Sequence, residues 1–566
     1  MDKRLVIALA LTVAIVFLIP RLFPTPPVSR TARQAPGSGP DTLQAPQSLA
    51  PVPADTLPDS LGPAMAVDTS VSPQPAVPAA ADTIVVNTPL VTYRFSTVGA
   101  MPVSAELRKY RDLSGGGGTV DMARPRVPIL SYRLLVNGDT IPLSQLPFAV
   151  DSAGAAAATG AAPLTFRTTA RGVEVAVTYT FAPDSYLVHV AGEVRGATSR
   201  SAYLVLTLPG GIRSAEADSV DDQRQLAYVV KPVRDDARSV SLSSLEEDGV
   251  PQRRIENGPF TWVASKNKYF LVALLTETGQ QPFTSAVLTG GPRTGRQATN
   301  AEAAVLYPAG PDGRFSFELY TGPQEWRRLV ALGRDLHNAN PYGWAPFRGI
   351  VQPFATIVMR ILLWLHDTMA LGYGWVLVIF GIAVRIILWP LNQSAMRSSL
   401  RMQRLQPHMQ EIQKRYKNDP ARQQQEMVKL YKEHNLSPFS MFSGCVPMLI
   451  PMPVLFALFF VFQNTIEFRG VSFLWLPDIS LKDPFYIIPI VMGLSMFLMS
   501  WIGLRNSPPN PQAKMMAYAM PVMMTVFFLN FASGLNLYYA VQNIAALPQQ
   551  WLIARERAKA GPPKAR

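Results

Sequence analysis

Val378–Leu391 reads VIFGIAVRIILWPL, an apolar run interrupted by a single arginine. Arg385 has no acidic residue near it in sequence, and a guanidinium stays charged in a protein. Such a cation has two roles open to it. It can snorkel, lifting its charged head along an apolar stem toward the lipid headgroups. It can instead face a wetted cavity among helices, the default for an ionisable group at that depth. The four long apolar runs that follow (roughly 443–463, 485–503, 516–533 and 535–553) contain no Asp, Glu, Lys or His. Ion-coupled transport usually needs intramembrane acids or histidines. Intramembrane proteolysis needs a Ser–Lys or Ser–His pair, paired Asp or zinc ligands. Neither set is available, so the counter-charge to Arg385 is expected to arrive with a guest.

Magnitudes fit one anionic guest at a time. An Asp at the centre of a bilayer helix costs about 2.5–3.5 kcal/mol on insertion scales. A charge pair at contact returns about 4 kcal/mol at an effective dielectric near 20. One arginine therefore offsets about one carboxylate in passage. Between residues 441 and 524 there are eleven methionines. Most serve packing or face lipid, yet methionine also recurs on surfaces that accept varied apolar guests. The five histidines (His189, His337, His366, His408, His434) and the single Cys445 form no zinc-type spacing. No cofactor and no disulfide are expected.

The elements that must hold Arg385 are those of a polytopic α-helical membrane protein with an exported all-β domain. The chain is 48% hydrophobic and only 16% charged, and the charge deficit lies mostly after residue 350. Residues 1–23 (MDKRLVIALALTVAIVFLIPRLF) read as a signal-anchor span with Lys3 and Arg4 left in the cytoplasm; a cleaved signal peptide is the rival reading. Residues 24–82 are a tether, with thirteen prolines in 24–80 and too little apolar surface to fold. From 83 to 322 short alternating runs separated by Gly, Pro and Asp predict an antiparallel sandwich. GVEVAVTYTF is the clearest, with Val173, Val175, Val177, Tyr179 and Phe181 on one face; similar runs fall at 83–87, 203–208 and 269–275. SGGGG at 114–118 lacks a following Lys-Ser or Lys-Thr and reads as a loop.

Residues 323–350 predict a helical connector. In 351–371, Phe354, Ile357, Val358, Ile361, Leu362 and Leu365 recur at helical spacing opposite Arg360 and Asp367, the pattern of an amphipathic helix in the interface plane. The arginine-bearing span occupies 372–392 and four further spans fill 441–554, each near the ~20 residues a crossing needs. Between them, 393–440 predicts a cytoplasmic helical hairpin: Met402, Leu405, Met409, Ile412 and Tyr416 mark a seam, Pro407 kinks it, and Asp419-Pro420 starts a second helix. Residues 393–437 hold nine Lys or Arg against four acids, and the tail 555–566 is also basic. Six spans place all basic segments on the cytoplasmic side, with both termini inside and the β domain outside.

Two stretches carry a family resemblance: GWVLVIFGIAVRIILWPLNQSAMRSSLRMQRLQPHMQEIQKRYKNDPARQQQEMVKLYKEHNLSPFSMFSGCVPMLIPMPV and NFASGLNLYYAVQNI. Over about 350–555 the chain strongly resembles the YidC-type membrane protein insertases, and its β domain matches more loosely the β-supersandwich of the Gram-negative form. The resemblance implies a five-helix insertase core in the bacterial inner membrane, with a hydrophilic groove open to cytoplasm and lipid. It implies a non-enzymatic insertase and chaperone for nascent membrane proteins, acting alone or with the Sec translocon. The hairpin and tail would meet substrate, ribosome, signal-recognition targeting factors and lipid. The family's groove arginine matches Arg385, and its aromatic contact in the last span matches Tyr539. Tyr538, Gln542 and Asn543 join them as groove candidates, with an aromatic-belt or helix-packing role open to each. Pro451 and Gly381 stand where relatives often carry a glutamine and a hydroxyl. The alternatives are a small-solute transporter or channel and, more weakly, a sugar-processing β domain on a membrane stalk.

Overall fold

The alternation in GVEVAVTYTF produces strand Val173–Phe181, which buries Val173, Val175, Val177, Tyr179 and Phe181 and leaves the intervening side chains at least partly exposed. The computed structural model containing it describes residues 82–136, 138–151, 159–196, 202–247, 250–291, 301–340, 342–343, 347–390, 392–393, 408–409, 411–417, 419–433, 452–504 and 511–559. The N-terminal anchor, nearly all of the tether, Met402, Leu405 and Pro407 of the seam, residues 443–451 and the end of the tail lie outside the described residues.

Strands Thr83–Asn87, Val91–Ser96, Met101–Arg111 and Thr119–Asp121 form a four-stranded antiparallel sheet in chain order. A fourteen-stranded sheet, also antiparallel, includes Leu164–Ala170, Val173–Phe181, Leu187–Arg195, Arg314–Pro323 and Phe270–Thr276 as neighbours. The two sheets meet through aromatic side chains: the Phe95 and Tyr179 rings are 4.6 Å apart and those of Tyr93 and Phe181 5.5 Å apart. Tyr179 donates to Ala100 O at 2.7 Å, so its buried hydroxyl is satisfied across the sandwich. The run expected at 269–275 is strand Phe270–Thr276, buried along its whole length rather than on one face. SGGGG is an exposed loop in which Gly115, Gly117 and Gly118 take positive φ.

The connector departs from the expected helix. Helix α1 (Ser219–Arg224) lies within the β domain. Helix α2 (Trp326–Leu332) ends where Gly333, Arg334 and Asp335 all take positive φ, a conformation that side chains other than glycine rarely adopt and that no helix continues through. Helix α3 (Arg348–Met369) follows, then α4 (Tyr373–Ile387), bent from it by 118°. The apolar face expected on α3 is divided. Val358 and Leu362 are packed with Ala355 and Met359, whereas Phe354, Ile357 and Ile361 are exposed beside Trp364. Helix α5 (Pro420–Glu433) begins as the sequence predicts, with Asp419 Oδ1 accepting from Arg422 N at 3.0 Å.

Helices α6 (Met452–Asn464), α7 (Ile487–Leu504), α8 (Pro511–Phe528) and α9 (Ser533–Lys559) complete the described helical part. Among the described residues α7 is long and apolar enough to cross a bilayer, and α3 with α4 passes as a bent pair. Ser533 N and Gly534 N bond Leu481 O and Ile479 O, which fixes the α8–α9 turn to the segment between α6 and α7. A Cβ on Gly534 would stand 2.3 Å from Phe462.

That inter-helix segment is also where the β domain is seated. Arg469 Nε reaches both carboxylate oxygens of Glu216 at 2.8 and 3.0 Å, and its Nη2 donates to Ala215 O at 3.0 Å. Both side chains are almost fully buried. Removing one partner of such a pair typically costs about 3–5 kcal/mol, because the other charge is left buried alone. Nearby, Glu467 Oε1 accepts Trp326 N at 3.2 Å, while its buried Oε2 has no partner among the described residues. Burial pushes this carboxyl up to about 7. A carboxyl whose pKa is raised by folding contributes stability at low pH and loses it as pH rises through the folded pKa. The full chain should therefore lose stability between roughly pH 4.5 and 7 relative to Glu467→Gln. Parallel thermal unfolding of the two detergent-solubilised proteins across that window checks it; superimposable pH profiles would contradict the assignment.

Candidate functional site

Helix α4 approaches α9 closely because residue 381 is glycine. A Cβ there would lie 3.1 Å from Val541 Cγ1 and 3.5 Å from Tyr538 Cδ2. The close approach lets Gln542 Nε2 donate to Gly381 O at 2.8 Å. Eight residues on, Gln549 Nε2 donates to Trp389 O at 3.0 Å. The two pairings ascend together, so α4 and α9 run parallel. Gly381 and Arg385 are four residues apart on α4, with Trp389 four further on just past its C-cap, and Gln542 and Gln549 recur at seven on α9; these spacings define a single stripe.

Arg385 sits in the middle of this seam, half-buried. Its Nη2 donates to Gln549 Oε1 at 2.8 Å, and its buried Nε has no partner among the described residues. No described carboxylate forms an ion pair with it. Gln549 is fully buried, and its orientation is determined. Its Nε2 serves two acceptors, Trp389 O and Gln393 Oε1 at 3.2 Å, so only Oε1 is left to face the guanidinium. The amide aims the arginine without neutralising it.

The predicted residues divide into two groups. Tyr538 lies on the α4 side of α9, buried, with its ring 5.9 Å from that of Phe380; it joins Gln542 and Arg385 along the seam. Tyr539 turns toward α8, its ring 5.3 Å from that of Phe528, and is not brought to Arg385. Asn543 is buried, and its Nδ2 has no partner among the described residues. Gln549 was not among the candidates, although its seven-residue spacing from Gln542 was visible in the sequence. Pro451 lies outside the described residues. No group of three or more His, Cys, Asp or Glu among the described residues could hold a metal ion.

Residues 364–560 match the family described as 60Kd inner membrane protein, and residues 83–357 match the YidC periplasmic domain. The chain is similar to the membrane protein insertase YidC of Chlorobaculum parvum, with 31% identity over 497 residues, 82% of this chain and 81% of that protein. It is similar to the one from Citrifermentans bemidjiense, at 31% identity over 563 residues, 98% and 99% of the two chains. The Syntrophus aciditrophicus protein is 29% identical over 581 residues, covering 98% of this chain and 100% of its own.

Substituting Gln549 by leucine would strand the Trp389 carbonyl and remove the one hydrogen-bond partner of Arg385 among the described residues. The expected loss is about 1–3 kcal/mol of stability for each buried polar group left unsatisfied. Gln542→Leu, which breaks one bond to Gly381 O, should cost less. Denaturation of the solubilised full chain measures both; equal or negligible losses would mean that Gln549 does not hold Arg385.

Proposed function

The chain belongs to the YidC family of membrane protein insertases, and from that premise we propose that Arg385 is the cation of a hydrophilic groove through which substrates pass. As a membrane protein insertase it acts on nascent membrane proteins and catalyses no covalent chemistry. Its β domain is periplasmic and its helical part belongs to the inner membrane.

One observation carries the groove proposal: Arg385 is hydrogen-bonded to a neutral amide and keeps donors that no described residue uses. Of its five N–H groups, those not facing Gln549 remain for a substrate carboxylate. Tyr538 and Gln542 line the same stripe, and Tyr539 and Asn543 contact substrate further round α9. The six-span topology with both termini cytoplasmic is part of the proposal. The parallel course of α4 and α9 supports it, since both then run from periplasm to cytoplasm. Basic residues in the 393–440 hairpin and the 555–566 tail support contacts with ribosome, targeting factors and anionic lipid. Cooperation with the Sec translocon completes the proposal. The exposed stripe Phe354, Ile357, Ile361 and Trp364 on α3 supports that helix lying in the membrane interface.

The test is insertion into liposomes of a single-span substrate with an acidic or a neutral translocated tail. Arg385→Ala should slow the acidic-tail substrate about tenfold or more, because a contact pair is worth up to about 4 kcal/mol. Arg385→Lys should be milder, and the neutral-tail substrate should barely respond. Equal rates for all three proteins on the acidic tail would return Arg385 to snorkelling.

A further inference from the structure

Between the β domain and the periplasmic ends of the helices lies a cleft of about 840 Å³, within the ~300–1,000 Å³ of small-molecule sites. Its lining is partly apolar: the rings of Phe459 from α6 and Phe531 from the α8–α9 turn are partly exposed, and Phe462 and Leu535 are buried behind the surface. Its wall is charged, and of the two acids on it Asp221 is paired with a cation while Asp218 caps the N-terminus of α1. Asp218 accepts Asp221 N at 3.0 Å, and Asp221 pairs with Lys268 Nζ at 2.8 Å. Arg224 and Lys482 remain, both exposed and with no ion pair among the described residues.

We infer that this cleft binds the headgroup of an anionic phospholipid from the outer leaflet. The reading rests on the periplasmic placement of the β domain and is independent of the groove at Arg385. Arg224 and Lys482 outweigh the one unpaired carboxylate described on the wall, Asp218, and so select a phosphate-bearing headgroup over one with no net charge, while the partly exposed rings of Phe459 and Phe531 give the start of an acyl chain an apolar contact. An acidic polypeptide would satisfy the cations too, but it would leave the rings of Phe459 and Phe531 facing polar backbone. The lipid satisfies both surfaces at once.

Native mass spectrometry of the full chain, released from micelles containing phosphatidylglycerol and phosphatidylcholine, tests this. One phosphatidylglycerol should be retained in preference to phosphatidylcholine. The double variant Arg224→Glu, Lys482→Glu should lower its occupancy about tenfold or more, the order expected from losing 1.4 kcal/mol of binding. The charge-keeping pair Arg224→Lys, Lys482→Arg should hold it. Unchanged retention in the charge-reversed protein, or equal retention of phosphatidylcholine, would overturn the inference. So would a photo-crosslinker at position 482 that captures a translocated acidic polypeptide and no lipid.

Discussion

The arrangement depends on a bond between a cation and a neutral amide. In a helical bundle without intramembrane acids, a guanidinium must be hydrogen-bonded or the cost of desolvating it falls on the fold. Gln549 meets that need at one nitrogen only. A carboxylate at the same place would form a charge-assisted, bidentate pair, and a substrate acid would then have to displace it. The amide supplies geometry while the charge stays uncompensated. Those are the two properties a transient anionic guest requires, and they follow from residue type rather than from any movement of the chain.

The amide can act only because two helices are close enough for their backbones to take part. Gly381 permits the approach, and its carbonyl, with that of Trp389, anchors the glutamines of α9. A hydroxyl-bearing residue at 381 would add a polar group and press its Cβ against Val541. The glycine therefore trades one side-chain contact for a backbone acceptor.

The parts of the molecule legible in the sequence were those where local pattern and tertiary burial coincide. Val173–Phe181 was readable because one face of the strand is buried and the other is not. Phe270–Thr276 looked similar yet is buried on both faces, which alternation alone cannot report. The expected helical connector fails at Gly333–Asp335; the glycine was a visible signal, but left-handed Arg334 and Asp335 are imposed by packing. Arg385 was conspicuous as a lone charge in an apolar run. Gln549 was not, because a seven-residue spacing acquires meaning only once the register of α9 against α4 is known. Tyr539 illustrates the converse: its sequence neighbour Tyr538 reaches the seam, and a 100° turn per residue sends Tyr539 to α8.

The β domain and the helices are joined by interactions of a different kind. Glu216 and Arg469 form a buried, hydrogen-bonded pair, and such a pair is held less by net attraction than by the penalty for breaking it. It resists separation while adding little to affinity, which suits a fixed joint. At Arg385 no described carboxylate compensates the charge, and the proposed groove rests on that difference. A buried cation with its acid present is structural; a half-buried cation without one is available to a partner. Both occur on a single chain, one at the periplasmic joint and one on the α4–α9 seam, and the presence or absence of a carboxylate distinguishes the joint from the proposed groove.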